Sequence, residues 1–287
     1  MSVEKRIAAS RHKKIQAPLA TVVYTLFGAY VVPRGGEVHV ADLLELVVPL
    51  GYSANAVRLG LSRMSRQGVF NIRRSGRNSY YSLSEQGMKW MEQGRVRAFE
   101  TEHKQWDGKW RLVVYCIPEK YRSLRDKFRT KLMSLGFARL CGSVWIAPHG
   151  VRTEVDQYVK DSGMSGFVQT FVAEYAGRQS LREFAALTWN VKALAKNYGV
   201  FVRSHEALYA LCRKAQQSCK ELTLAECFAR RFFMTVEYVS LRLKDPMLPL
   251  ELLPDNWIGL RAQKLHDDLL KLLKPKEDAF IDSVLRK

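Results

Sequence analysis

The sequence predicts an α+β multidomain protein: a winged helix-turn-helix over residues 1–100, a ferredoxin-like βαββαβ unit over 101–176, and an all-helical region over 177–287. Three observations predict it. An arginine-rich helix is followed at once by a short basic hairpin, a later stretch runs in the order β-α-β-β-α-β, and the last third shows apolar residues at helical spacing throughout. At 287 residues the chain is long enough for two or three compact units, each with its own core.

Thr21 to Tyr30 reads as a buried first helix that stops at the Pro33-Arg34-Gly35-Gly36 turn. Val38-His39-Val40 is a short strand, and Ala41 to Leu50 places Leu43, Leu44, Val47 and Leu50 at helical spacing before Gly51. The next helix opens at Ser53, a suitable N-cap, and turns Val57, Leu61 and Met64 inward. Its opposite side carries Asn55, Arg58, Ser62 and Arg66 in one stripe, with Ser65 beside them. Arginine can pair with guanine O6 and N7, and asparagine with adenine N6 and N7, so this is base-reading chemistry for the major groove. Ser53, Asn55, Arg58 and Ser62 are the candidates for base edges, and Arg66 lies nearer a phosphate.

Val69 to Arg74 and Ser79 to Leu83 are β-rich runs joined by Ser75-Gly76-Arg77-Asn78, a hairpin signal with a basic tip at Arg73, Arg74 and Arg77. Between Leu46 and Ser84 there is no Asp or Glu, whereas Arg58, Arg63, Arg66, Arg73, Arg74 and Arg77 supply six positive charges. All are Arg, which favours bidentate contact with phosphate and bases over a merely solvated surface. Asn78 and Tyr80 of the hairpin complete the candidate DNA-contacting set. The competing use of these arginines is solubility or a protein interface. RNA fits the same module less well, since a helix enters the B-form major groove far better.

Composition agrees with a polyanionic partner. The formal net charge is +18, while 47% hydrophobic and 26% charged residues are ordinary for a soluble globular chain. Cys116, Cys141, Cys212, Cys219 and Cys227 are odd in number and no two are separated by two residues, which argues against a disulfide framework or a zinc knuckle and fits the reducing cytoplasm. The six histidines show no ligand spacing, so neither a metal nor a cofactor is expected. Lys5, Arg6, Arg11, Lys13 and Lys14 ahead of the apolar stretch from Ala17 to Val32 resemble the start of a signal peptide. Pro18, Thr21, Tyr24, Thr25 and Tyr30 interrupt that stretch, and it is shorter than the roughly 20 residues that span a bilayer. No membrane partner is expected.

The polar stretch from Gln93 to Gln105, ahead of the Trp106-Asp107-Gly108-Lys109-Trp110 turn, reads as the first linker. Arg111 to Ile117 is then a strand, Lys120 to Ser134 a helix with Leu124, Phe128 and Leu132 on one face, and Phe137 to Cys141 with Val144 to Ala147 a hairpin. Thr153 to Ser162 is a helix and Phe167 to Ala173 a strand. Val113-Val114-Tyr115-Cys116-Ile117-Pro118 followed by this topology resembles the small ferredoxin-like CRISPR-associated nuclease. In that family an Asp at the end of the first strand is associated with the catalytic metal. Cys116 stands there instead, and Glu119 is weak compensation for an oxygen-rich Mg²⁺ site. The unit is read as a dimerisation or spacer scaffold rather than an enzyme, with a metal-dependent nuclease as the alternative function.

Leu181 to Lys196, His205 to Lys214, Leu224 to Leu243 and Gly259 to Leu273 read as helices, with Asp245-Pro246 and Pro249 between the last two. Trp189, Tyr198, Phe201, Phe232, Phe233 and Tyr238 could line an aromatic pocket and Arg230 with Arg231 could hold a phosphate, but aromatics at helical spacing are more often core.

Taken together, the chain resembles the PaaX family, the repressors of phenylacetate-degradation genes. The residues that carry the resemblance are Arg34-Gly35-Gly36, Ala56-Val57-Arg58, Leu61-Ser62-Arg63, Gly76-Arg77 with Ser79-Tyr80-Tyr81 and Leu83, and Trp106-Asp107-Gly108-Lys109-Trp110. Beyond them come Leu135-Gly136-Phe137, Asp245-Pro246-Met247-Leu248-Pro249, Glu251-Leu252-Leu253-Pro254 and Trp257. Their order along the chain is far more specific than any one tripeptide. The resemblance implies a winged-helix domain on a palindromic double-stranded operator, a homodimer, and repression relieved by an aryl-acyl-CoA such as phenylacetyl-CoA. It assigns no effector-binding residues.

Overall fold

The computed structural model describes residues 18–99, 105–150, 152–214 and 222–285, so the basic residues Lys5 to Lys14 and Cys219 lie outside the described residues. The chain opens with helix α1 (Leu19–Leu26), prolonged by a wider turn over Phe27–Val31 and a 3-10 turn over Val32–Arg34 that ends at left-handed Gly35. β1 (Glu37–His39), α2 (Val40–Val47), α3 (Ala54–Arg66), β2 (Phe70–Ser75), β3 (Asn78–Leu83) and α4 (Glu85–Phe99) follow. Next come β4 (Trp110–Tyr115), α5 (Arg122–Ser134), β5 (Ala138–Cys141), β6 (Val144–Ala147), α6 (Arg152–Asp161) and β7 (Val168–Ala173). The described chain ends with α7 (Leu181–Thr188), α8 (Val191–Lys214), α9 (Leu224–Arg242) and α10 (Ile258–Leu285). It is a mixed α+β structure with two small antiparallel sheets, ordered β1-β3-β2 and β5-β6-β4-β7.

The described residues form two compact units. The first comprises residues 18–99, 203–214, 222–240 and 264–285, and the second 105–150, 152–202 and 241–263. In the first, Val22, Val23, Leu26 and Phe27 share one apolar core with Leu43, Leu46 and Val47 of α2, Val57, Leu61 and Met64 of α3, and Phe70 and Leu83 of the hairpin. The apolar stretch after Ala17 therefore has a structural use. Phe228, Phe232 and Val236 of α9 and Ile281 and Val284 of α10 belong to that same core. Polar links reinforce it: Arg34 pairs with Asp282 at 3.4 Å, and the Tyr30 hydroxyl reaches Glu277. Burial of a shared apolar surface is non-directional and scales with area, so these helices and residues 18–99 hold each other in place.

In the second unit α5 and α6 cover one sheet face, with Phe128, Leu132, Val155 and Val159 against Val113, Tyr115 and Trp145. On the other face Trp110 lies between Trp106, Phe184 of α7 and Trp189, at centroid distances of 5.1, 5.3 and 5.8 Å. The Asp107 carboxylate accepts from Arg111 at 2.6 and 2.7 Å, and those bonds hold its acid far below the ordinary range, at about 2. The Asp245-Pro246 turn is tied down by Tyr198, whose hydroxyl donates to Asp245 at 2.6 Å, and by the His149 Nε2 contact with the Pro246 carbonyl at 2.8 Å.

Four boundaries differ from the sequence expectation. The stretch expected to be a linker from Gln93 is helical as far as Phe99, where a bidentate Arg95–Glu92 pair and buried Ala98 extend α4. The helix expected from Leu181 to Lys196 is broken, because Asn190 takes a left-handed conformation at φ 48°. α8 then runs unbroken from Val191 to Lys214 through the gap expected before His205. α10 continues past Leu273 and through Pro275: a Lys274–Asp278 pair at 2.7 Å bridges the proline, and Glu277, Ile281 and Val284 are buried beyond it.

Candidate nucleic-acid interface

α3 begins where the Ser53 side chain accepts from the Ala56 backbone N–H at 3.2 Å, satisfying one of the unpaired donors of the first turn. Val57, Leu61 and Met64 are buried, while Asn55, Arg58, Ser62, Arg63 and Arg66 are exposed. Ser65 departs from the expected outward stripe, since its hydroxyl is buried and finds no hydrogen-bond partner. Gly60 permits a close approach from behind: a Cβ there would stand 2.2 Å from the Leu19 side chain of α1. The helix is thus fixed along its apolar side and left open along its polar one.

β2 and β3 pair from Phe70 with Leu83 to Ser75 with Asn78, and Gly76 at φ 58° makes the tight turn. Arg74, Arg77 and Asn78 are exposed at this end. Arg58, Arg63, Arg66, Arg74 and Arg77 make no ion pair among the described residues.

Arg73 is different. It lies 4.2 Å over the Tyr80 ring and donates to both Glu37 carboxylate oxygens, at 3.0 and 2.5 Å. These bonds lower the Glu37 acid and raise the Arg73 pKa. Arg73, Tyr80, His39 and Glu37 share one sheet face, because β1 and β2 both pair with β3. The acid-free window from Leu46 to Ser84 hides this partner, which arrives through strand pairing from outside it. Sequence reasoning also misses Leu59, an apolar residue that is 72% exposed on the open side of α3.

Residues 19–87, which hold α1 through the hairpin, match the family model described as PaaX-like protein; residues 103–185 match the PaaX protein central Cas2-like domain, and residues 189–283 the PaaX-like protein C-terminal domain. The chain belongs to the PaaX family. It is 29% identical over 264 residues to the transcriptional repressor PaaX of Escherichia coli (strain K12), covering 91% of this chain and 82% of that protein. Among solved structures it is similar to the uncharacterized protein Rv0674 from Mycobacterium tuberculosis, with a TM-score of 0.58, 20% identity, and coverage of 91% of this chain and 97% of the other. That likeness concerns the fold.

In the Cas2-like region, exposed Cys116 follows β4 and its backbone N–H donates to the Phe167 carbonyl at 2.9 Å. Glu119 is held by Arg125 at 2.8 Å. In the C-terminal region of this PaaX-family chain, Tyr198 and Phe201 pack in the second unit and Phe232, Phe233 and Tyr238 in the first, all of them buried. Arg231 of the proposed phosphate pair bonds to Glu277 and to the Leu270 carbonyl. Packing within each unit accounts for the burial of these side chains.

Proposed function

We propose that this chain is a cytoplasmic transcriptional repressor that binds double-stranded DNA through a winged helix-turn-helix, with α3 as the recognition helix and the β2–β3 hairpin as the wing. One observation carries the reading: arginines with no acidic partner among the described residues line the open side of a helix whose other side is locked into the core. Ser53, Asn55, Arg58 and Ser62 face base edges. Arg63, Arg66, Arg74, Arg77 and Asn78 hold phosphates or enter the minor groove, and Tyr80 positions Arg73. A relative that is itself a transcriptional repressor supports it.

In chain order, residues 1–100 carry DNA binding, 101–176 form a ferredoxin-like scaffold, and 177–287 contribute to dimerisation and effector response. The sheet order β5-β6-β4-β7 with two helices on one face supports the ferredoxin-like assignment. The repressor acts as a homodimer on a palindromic operator of a phenylacetate-type catabolic operon, and an aryl-acyl-CoA such as phenylacetyl-CoA releases it. Release requires that the ligand prefer a dimer in which the recognition helices no longer match the half-site spacing.

A gel shift on the DNA upstream of the protein's own gene, with a panel of acyl-CoA esters titrated in, tests the reading. A retarded band that an aryl-acyl-CoA abolishes is the expected result; equal retardation of random DNA sinks it. Labelled DNA incubated with Mg²⁺ or Mn²⁺ must keep its length, since shortening would establish the nuclease instead.

A further inference from the structure

The open side of α3 carries one side chain that the arginines do not explain. At about 100° per residue, Leu59 lies roughly 40° from Asn55, 20° from Arg66 and 60° from Ser62 around the helix axis, with Arg58 and Arg63 to either side. It therefore occupies the middle of the polar stripe. At 72% exposure no large apolar side chain among the described residues is more exposed. Scattered apolar residues on a surface need no special account, but this one is centred on the face that meets the partner.

Base edges in the major groove are polar with one exception, the C5-methyl group of thymine. Arginine suits guanine, asparagine suits adenine, and an apolar side chain suits that methyl. We propose that Leu59 is a specificity residue that packs against a thymine methyl in each half-site. The inference rests on the DNA-binding reading above and adds a base preference to it. Asn55 and Leu59 stand about one helical turn apart on the same line, so an adenine contact and a thymine contact fall on neighbouring base pairs. Leucine at this position contributes nothing to the core, whose α3 residues are Val57, Leu61 and Met64.

Replacing single thymines of the operator with deoxyuridine removes one methyl and leaves base pairing intact. For the wild-type chain, one thymine per half-site is expected to be sensitive, with affinity falling roughly fourfold for one buried methyl group. Leu59→Ala should bind operators with and without that methyl equally, while retaining its thermal melt, because the residue is exposed and alanine is a good helix former. If uridine substitution weakens wild type and Leu59→Ala by the same factor, or no thymine is sensitive, the proposal falls and DNA binding stands. If Leu59→Ala instead changes the oligomeric state in light scattering and leaves the uridine effect in place, Leu59 belongs to a protein interface and the proposal falls. A wild-type chain that does not retain operator DNA overturns both readings.

Discussion

The Tyr30 hydroxyl donates to Glu277 Oε1 at 2.5 Å, joining the first helical segment to a residue near the end of α10. Glu277 is 1% exposed and also binds Arg231 of α9. A carboxylate buried this deeply is tolerable because both partners are present; removing it leaves the Tyr30 hydroxyl without its acceptor and the Arg231 guanidinium with the Leu270 carbonyl but no counter-charge. Glu277→Ala should destabilise the first unit by about 3–5 kcal/mol, as breaking a buried pair does, and Tyr30→Phe by about 1–2 kcal/mol. Urea denaturation followed by circular dichroism checks both values. Similar small losses for the two variants would show that the pair contributes little.

The same residue sets an alkaline limit. Burial pushes the Tyr30 phenol from 10.0 up to about 12. Because the folded pKa is the higher one, the neutral phenol favours the folded state. This contribution is whole below pH 10 and is lost as pH rises to about 12, on the order of 2–3 kcal/mol. The advantage of wild type over Tyr30→Phe should therefore shrink across that interval and reverse towards its upper end, whereas a difference that stays constant would place the hydroxyl in water.

On DNA the arginines of α3 and the wing should behave differently. Arg58→Ala is expected to cost about 1–3 kcal/mol on the operator and much less on random sequence, as loss of a base contact does. Arg77→Ala should weaken both and reduce the slope of log K against log salt by about one. Equal losses on both DNAs for Arg58→Ala would remove it from the base-reading set.

What the sequence makes legible here is local or periodic. Ser53 as a cap, the buried stripe of Val57, Leu61 and Met64, and the hairpin around Gly76 each need only a few neighbouring residues, and each is present. The Arg73–Glu37 pair spans 36 residues and exists only because β1 joins the hairpin at β3. The core shared among α1, α9 and α10 depends on contacts across most of the chain, for which apolar periodicity gives no address. Asn190 breaks a helix that its neighbours would have continued, and Pro275 fails to break one. Leu59 is a different case: its angle is legible in the sequence, but an apolar side chain has no hydrogen-bonding group to mark it as a base contact.

The Glu37 contact makes a prediction opposite in sign to ordinary loss of function. Glu37→Gln removes the charge that engages Arg73 and leaves a sixth cation free beside Arg74. Operator and random DNA should both bind more tightly, with the salt slope steeper by about 0.9 for one added phosphate contact. Unchanged affinity and slope would mean that Arg73 stays over Tyr80 and faces away from the DNA.

Gly136 tests a close approach in the second unit. Its φ is 85°, and an added Cβ would stand 2.9 Å from the Pro246 carbonyl oxygen, which also faces His149. Gly108 has a similar φ of 76° with nothing within 4 Å of such a Cβ. Gly108→Ala should cost only the left-handed backbone penalty, about 1–2 kcal/mol. Gly136→Ala adds overpacking against backbone that cannot rotate away, for a total of roughly 2–5 kcal/mol. Because the Gly136 carbonyl accepts from Trp189 Nε1 at 2.9 Å, a forced shift should also change tryptophan fluorescence before unfolding begins. If the two alanine variants lose equal stability in urea, the Asp245-Pro246 turn yields freely and the close approach at Gly136 has no energetic weight.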